Sequence, residues 1–446
     1  MHLVADQVRS LDETARAIDL GQTAGEVAFL SFSDSDLAVV AGLAETAGER
    51  LPSLRLASLA DLRHPYSVDL WLDAVGRKAR FVLVRLLGGM DWWRYGVDEL
   101  ANAARNHGFD LAIVPGDARA DERLDRASTL PVEDLRRLWA WFQEGGPDNI
   151  GSALGWIATR LGRGADWAEP RPLPAHGEFV EARRDAGDGP LALVTFYRSV
   201  WAASDTAPIV ALADALATRG FRVHAEYVSS LKDGRVVAGL ARRLDAVRPA
   251  VIVNTTAFSA RLDDGTTVLD RAGVPVLQAI LATSPRGAWA ASTRGLSAAD
   301  LAMNVVLPEV DGRISARAIS FKDRRPRSEV LQHACNVHVS DPDGVAAVAD
   351  LARAWVRLAA TPRSGRRLAL VVSDYPAKGG RTAYAVGLDT PASVAAIAED
   401  LRAAGYDVPA PPDPAELMAI LEGRLAAGSS VSRIADLSPA VPGERS

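Results

Sequence analysis

The sequence predicts an α/β protein: two Rossmann-like domains with parallel sheets, followed by the start of a third, truncated α/β domain. Three observations predict this class. Apolar runs of strand length recur along the chain, they alternate with segments of helical periodicity, and they are apolar throughout. Strands that are apolar on both faces are typical of parallel sheets covered by helices on both sides.

The predicted elements follow one another in the order that such domains require, with helical spacing between several of the strands. The strands are predicted at 27–32, 79–87, 110–116, 191–197, 222–228, 250–256, 274–281, 316–321 and 367–375. The helices are predicted at 36–51, 97–108, 207–220 and 345–361.

Breaker residues predict the domain boundaries. A segment rich in proline, glycine and charge, 166–190, indicates a linker between an amino-terminal domain, 1–165, and a second domain, 191–345. A third unit, 366–428, has too few elements to close a doubly wound sheet, so we expect the chain to stop inside a domain. Residues 429–446 are of low hydrophobicity and are predicted to form a disordered tail.

Composition and charge exclude some classes of function. The 446 residues include 50 basic and 56 acidic side chains, a formal net charge of −6. That balance argues against nucleic acid as the main partner, since nucleic-acid binding usually needs a basic face. The start of the chain has no signal-peptide pattern, and no apolar run approaches the about 18 residues of a membrane span. A single cysteine, Cys335, excludes an intramolecular disulfide and fits a reducing cytoplasm.

The first candidate site follows the strand that ends at Leu87. In an open α/β sheet, ligands bind beyond the carboxyl ends of the strands. Glycines there allow close approach, aromatic faces suit a flat macrocycle, and guanidinium groups suit its peripheral carboxylates. The alternative, which spacing alone favours, is that the tryptophans are core residues and Arg94 is solvated. The candidate residues are Arg85, Gly88, Gly89, Trp93, Arg94 and Tyr95.

Three later segments place polar groups in loops. A polar loop follows the strand that ends in Asn254, and a long connection carries Arg286 and Trp289 towards a helix capped by Ser297. A basic, glycine-rich loop with Arg381 precedes a helix that starts near Asp389, with Thr390 as its expected N-cap. No GxxxxGK[ST] motif occurs, so ATP hydrolysis by this chain is not predicted.

One short cluster resembles a metal site only superficially. His333, Cys335 and His338 lie within six residues, but on a strand they would not share one face. No metal site is therefore predicted. No nucleophile–base constellation is found either, so the catalytic residues are unknown.

Several segments resemble one known family. They are RLLGG with W-RYG (85–96), FQEGGPDNI (142–150), VSSLKD (228–233), LATSPRGAWAASTRGLSAADLAMNVVLPEVDGR (281–313) and VGLDTPAS (386–393). Their order and spacing are similar to the family that contains the large subunit of aerobic cobaltochelatase and the H subunit of magnesium chelatase. The similarity covers the amino-terminal portion of that subunit, and the forms AWAASTRGLS and WRYG look closer to the cobalt branch.

The resemblance implies an ATP-dependent insertion of Co²⁺, as substrate, into hydrogenobyrinic acid a,c-diamide in cobalamin biosynthesis. It implies an AAA+ motor subunit and a metal-binding adaptor subunit that hydrolyse ATP, while the large subunit holds the tetrapyrrole. A second chain would carry the remaining domains, and the fragment alone is expected to be inactive. The family motifs mark, as ligand or interdomain contacts, Arg85, Gly88, Gly89, Trp93, Arg94, Tyr95, Arg286, Trp289, Arg381 and Asp389.

Alternatives stay open at this point. The chain is also compatible with a non-catalytic tetrapyrrole-binding or subunit-docking module, or with a magnesium chelatase H-type fragment. A nucleotide-sugar transferase or a periplasmic-type binding protein would also have two α/β units. The first is weakened because no Asp-x-Asp motif stands out, and the second because a signal peptide is not predicted.

Overall fold

The structure is a computed structural model that describes residues 16–185, 187–372, 387–410 and 413–419. The chain divides into two compact units, Met1–Arg353 and Ala354–Ser446. Both β-sheets belong to the first unit. Among the described residues, no helix is long and apolar enough to cross a membrane.

The first sheet is parallel throughout, as predicted, with the strand order β2-β1-β3-β4. Strand β2 was missed because its sequence, LRLAS, is short and carries an arginine at its second position. The strands are β1 Val27–Ser31, β2 Leu54–Ser58, β3 Phe81–Leu86 and β4 Asp110–Pro115. The helices are α1 Asp34–Ala47, α2 Pro65–Ala74, α3 Arg94–His107, α4 Glu122–Ala127, α5 Val132–Glu144 and α6 Pro147–Arg160.

Helices cover both faces of the first sheet, which explains why its strands are apolar throughout. On one face Phe29 stacks on Phe142 of α5 with ring centroids 5.2 Å apart, beside the fully buried Trp141. On the other face Trp71 of α2 and Trp93 lie in a second apolar cluster. Each buried aromatic side chain of this size contributes on the order of 3 kcal/mol.

The second sheet has seven strands in the order β11-β10-β9-β8-β6-β7-β5. Its five central strands are parallel, as predicted, and β5 and β11 pair antiparallel at the two edges, which makes the sheet mixed. The strands are β5 His176–Glu178, β6 Leu191–Tyr197, β7 Arg222–Val228, β8 Val251–Asn254, β9 Val276–Ala282, β10 Ile314–Arg324 and β11 Asn336–Ser340.

The helices of this half include one irregular run. A π-helical turn, Ala302–Val306, joins two short α-helices. The helices are α7 Arg198–Ala202, α8 Ala207–Thr218, α9 Gly234–Val247, α10 Arg286–Ala291, α11 Ala298–Leu301, α12 Leu307–Val310 and α13 Pro342–Ala360.

Two connecting regions are more ordered than breaker residues alone indicate. The segment 166–190, predicted as a linker, contributes β5 and buries Phe179. The β10–β11 hairpin reaches back to the first sheet, where Cys335 and Val337 pack in the same cluster as Leu37 of α1. The domain boundaries drawn from the sequence stay predictions.

The second unit contains helix α14, Thr390–Ala403. The strand predicted at 367–375 is wrong for its described part, because residues 367–372 form irregular chain. A strand needs a neighbour for its backbone groups, and no described residue pairs with this segment. The predicted tail, 429–446, lies outside the described residues.

Candidate functional site

Each sheet has one point where its strand order reverses. In the first sheet this point lies between β1 and β3, and in the second between β6 and β8. Ligands of open α/β sheets bind in the crevice at the carboxyl ends of such strands. A ligand site is therefore expected in one of these two crevices.

The crevice of the first sheet is closed at its floor by a buried ion pair. Arg85 at the end of β3 pairs with Asp36 of α1, whose Oδ2 also accepts a hydrogen bond of 2.8 Å from Ser31 Oγ. Nη2 of Arg85 donates to the carbonyl of Gly116 at 3.2 Å, and the guanidinium lies 5.6 Å from the ring centroid of Phe142. Arg85 thus points inward and joins strand to helix.

The two glycines after β3 lie in a tight turn. Gly88 and Gly89 have φ of +85° and +82°, a region that favours glycine. A Cβ on Gly88 would lie 2.5 Å from Cδ1 of Trp92, so the indole covers this glycine. Trp92 remains 68% exposed and is the accessible tryptophan of this motif.

Trp93 is a core residue. It is 4% exposed, its Nε1 donates to the carbonyl of Leu62 at 2.8 Å, and its ring lies against Gly96. The ring faces are therefore not presented to solvent. The structure favours the packing alternative for this one of the two tryptophans.

Arg94 and Tyr95 lie on the surface. Arg94 pairs with Asp91 at 2.7 Å, with both side chains largely exposed. Tyr95 donates its hydroxyl to Oδ1 of Asp69 at 2.8 Å, and this hydrogen bond raises the pKa of Tyr95 to about 12. Water screens both of these exposed contacts.

The crevice of the second sheet contains a layer of buried polar side chains. The sequence did not predict that these side chains form one group. Thr195 Oγ1 donates to Asn254 Oδ1 at 2.7 Å, and Asn254 Nδ2 donates to Gln278 Oε1 at 2.8 Å. Nη1 of Arg313 donates to the same Gln278 oxygen at 3.0 Å. Burial lowers the pKa of Arg313. The only sequence signal was a polar residue inside each apolar strand.

The family-like segment 297–313 holds the loops at this edge. Asp311 accepts a hydrogen bond of 2.6 Å from the amide of Ala260, in the loop after β8. Asp300 accepts from the amide and the hydroxyl of Thr283 after β9, each at 3.1 Å. Ser297 caps α11, as predicted. The segment therefore fixes the loops after β8 and β9 at the carboxyl edge of the second sheet.

Arg286 and Trp289 lie together on the short helix α10, in a segment that the sequence predicted as a loop connection. The Arg286 guanidinium lies 4.7 Å from the Trp289 ring centroid and 5.5 Å from that of Phe321. Its Nε also pairs with Asp341 at 2.9 Å. This cluster joins α10 to β10 and is separate from the Arg85 group.

The two remaining candidates belong to the second unit. Asp389 is the N-cap of α14, and its Oδ1 accepts from the amide of Ala392 at 3.1 Å. The expected cap, Thr390, is instead the first helical residue, because the aspartate one position earlier reaches the free amide. Arg381 lies outside the described residues.

In the part of the chain that the structure describes, no group of three or more histidine, cysteine or acidic residues is arranged to hold a metal ion. Burial raises the pKa of Cys335 to about 11 and lowers that of His338 to about 4. Both shifts favour the uncharged form.

Fold and crevices together define the class: an α/β protein whose two sheets both present a strand-order reversal to a polar edge. A family model described as CobN/Magnesium Chelatase matches residues 139–440, more than half of the chain. The chain belongs to this family.

Named relatives agree with this assignment. The aerobic cobaltochelatase subunit CobN of Sinorhizobium sp is 39% identical over 430 residues, which cover 92% of this chain and 34% of the relative. The Pseudomonas aeruginosa protein of the same name is 38% identical over 420 residues, with the same coverage of 92% and 34%. The chloroplastic magnesium-chelatase subunit ChlH of Oryza sativa subsp. indica is 30% identical over 151 residues, 34% of this chain and 10% of that relative.

A solved structure is similar too. The catalytic subunit of cobaltochelatase from Mycobacterium tuberculosis superposes with a TM-score of 0.66 at 30% identity, covering 86% of this chain and 31% of that one. The chain therefore spans about a third of the length of the curated cobaltochelatase relatives it matches, 34% of each.

Proposed function

We propose that the chain is part of the tetrapyrrole-binding subunit of an ATP-dependent cobaltochelatase, which inserts Co²⁺ into hydrogenobyrinic acid a,c-diamide during cobalamin biosynthesis. The observation that carries this proposal is the alignment with two CobN subunits over 92% of the chain. The rice magnesium-chelatase relative aligns with 34% of it. Cobalt is therefore the better-supported metal.

The proposed role of this chain is to bind and orient the ring, with Co²⁺ as the substrate metal. ATP would be hydrolysed by partner subunits, an AAA+ motor and a metal-binding adaptor, since the chain has no P-loop motif. A second chain would supply the remaining large-subunit domains, and the fragment alone would be inactive. We place the reaction in the cytoplasm, because this reducing compartment keeps a free cysteine in its thiol form.

A fluorescence titration tests the binding part of the proposal. The purified chain is titrated with hydrogenobyrinic acid a,c-diamide, with protoporphyrin IX as the comparison ligand. Trp92 is the reporter, because it is 68% exposed in the loop after β3. We expect saturable quenching that is reduced in Trp92→Phe and retained in Trp167→Phe, whose ring packs on Trp141 with centroids 5.9 Å apart.

A reconstitution assay tests the chemical part. The chain is combined with the remaining large-subunit domains, the motor and the adaptor, and Co²⁺ insertion is followed by the absorbance of the corrin. Insertion that needs both this chain and ATP supports the proposal. Ring binding without insertion would instead favour the non-catalytic module, and insertion of Mg²⁺ into a porphyrin would favour the magnesium-type subunit.

A further inference from the structure

The helical run 298–310, made of α11, the π-helical turn and α12, exposes three large aliphatic side chains. They are Val306, Leu307 and Val310, which are 56%, 37% and 55% exposed. Val306 and Val310 are four residues apart, and Leu307 and Val310 are three apart, so the three side chains share one face of the run. We call this face the apolar stripe.

The opposite face of the run is mainly polar. The side chains buried there are Asp300, Asn304, Pro308 and, directly after the run, Asp311. Asn304 donates to Asp300 at 3.4 Å, whereas Val305 is only partly buried. A surface helix normally places its apolar residues inward and its polar residues outward. This run is largely reversed, so we expect another apolar surface to cover the stripe.

The stripe is presented on a fixed backbone. The amide of Phe258 donates to the carbonyl of Met303 at 2.7 Å, and Arg261 donates to the carbonyl of Val310. The π-helical turn leads directly into the stripe, and such turns are rare and are frequently found at functional sites. Arg261 and Glu309 are exposed beside it. An apolar centre with a polar rim is the usual composition of a protein interface.

The size of the stripe and the length of the relatives indicate what covers it. A stable dimer of two copies buries about 800 Å² per partner, much more than three partly exposed aliphatic side chains provide. The chain spans 34% of each CobN relative, so most of such a subunit lies outside the matched part. A subunit of that size has extended contacts between its domains, and a stripe of this size fits as one part of such a contact.

We propose that the apolar stripe is a docking surface for the remaining domains of the large subunit, an inference that rests on the proposed function. The three aliphatic side chains pack against an apolar face of those domains, and the charges of Arg261 and Glu309 at the rim orient the contact. The same segment fixes the loops after β8 and β9, so docking connects the remaining domains to the carboxyl edge of the second sheet.

The single cysteine of the chain makes thiol labelling a direct test. Cys335 is buried, and its burial raises the pKa of the thiol to about 11, so it reacts slowly with a maleimide. Val306→Cys places a reactive thiol in the stripe. Val180→Cys is the matched control, because Val180 is 67% exposed and lies next to β5, at the opposite edge of the second sheet.

Both cysteine variants should label rapidly in the isolated chain. The remaining large-subunit domains, the same polypeptide as in the reconstitution assay, should slow the labelling of Val306→Cys by about tenfold or more, since docking removes the thiol from solvent. The labelling of Val180→Cys should not change. The double variant Val306→Ser, Val310→Ser should weaken the association of the two polypeptides about tenfold in a calorimetric titration, because two aliphatic contacts are lost.

The outcomes distinguish the two proposals. Labelling of Val306→Cys that the remaining domains leave unchanged overturns the docking assignment. Labelling that is already slow in the isolated chain overturns it as well, because the chain itself or a second copy then covers the stripe. The proposed function is tested independently of docking by one polypeptide that joins the chain to those domains. It fails when this polypeptide, with the motor and the adaptor, inserts no Co²⁺.

Discussion

Replacing Asp311 by alanine tests the idea that the segment 297–313 holds the edge of the second sheet. The Asp311 side chain is fully buried and accepts hydrogen bonds of 2.6 Å from Ser259 Oγ and of 2.6 Å from the amide of Ala260. It also pairs with Arg313 at 3.1 Å, where the arginine side chain is 3% exposed. Alanine would leave a buried amide and a buried cation without this partner.

The expected cost follows from those two losses. Breaking a buried ion pair from one side costs about 3–5 kcal/mol, and an unsatisfied buried amide costs about 1–3 kcal/mol, but the two effects overlap. We therefore expect Asp311→Ala to lower the free energy of unfolding by about 3–5 kcal/mol. Adding Arg313→Met should recover part of this loss, because the unpaired charge is then removed as well.

Urea unfolding followed by far-UV circular dichroism measures the loss. Hydrogen exchange at the Ala260 amide shows whether the loss of stability arises in the loop after β8. Asp264→Ala is the matched control, since Asp264 lies in the same loop but is exposed and bonds only locally to Thr266. The reasoning is refuted when Asp311→Ala and Asp264→Ala unfold at the same urea concentration, or when the Ala260 amide exchanges as slowly as in the wild type.

Two further predictions concern packing and pH. Gly96→Ala places a Cβ 2.2 Å from Trp93 Cε2, so we expect it to lower the thermal midpoint and to reduce the free energy of unfolding by about 1–3 kcal/mol. Gly151→Ala is the control, because its Cβ position has open space around it and its midpoint should not fall. Equal midpoints of the two variants in a thermal scan would contradict this prediction. Burial lowers the pKa of His338 from 6.5 to about 4, so its contribution to stability is present above pH 6.5 and is lost as the pH falls towards 4. His338→Gln should flatten the pH dependence of the urea midpoint in that window, while the same change at the exposed His107 should leave it steep.

Long apolar runs between helices were enough to predict most of the parallel strands. The edge strands were not predictable in this way. The sequence of β5 is HGE and that of β11 is NVHVS, so neither carries the signal of a strand buried on both faces. The reverse error occurred at 367–372, the described part of the strand predicted at 367–375, where an apolar run has no neighbouring strand among the described residues.

The candidate site was only partly predictable. The glycine pair after β3 was recognisable in the sequence, and both glycines have positive φ in the structure. The reversal points follow only from the strand order of the folded sheets. The inward direction of Arg85 did not follow, because its partner Asp36 lies 49 residues earlier. The layer that links Thr195 to Gln278 depends on which strands are neighbours, and that is decided only by tertiary structure.

The β10–β11 hairpin also determines when the chain can complete its folding during synthesis. Cys335 contacts the carbonyl of Leu37 across 298 positions of sequence, and Leu331 and Val337 fill the same cluster. A ribosome releases the first sheet long before these residues emerge. Until the hairpin is synthesised, the apolar surface that it covers on the nascent amino-terminal half stays exposed to solvent. Chaperones bind to such exposed apolar surfaces, and aggregation starts from them. Folding of the two halves is expected to be completed in one late step, when the hairpin arrives.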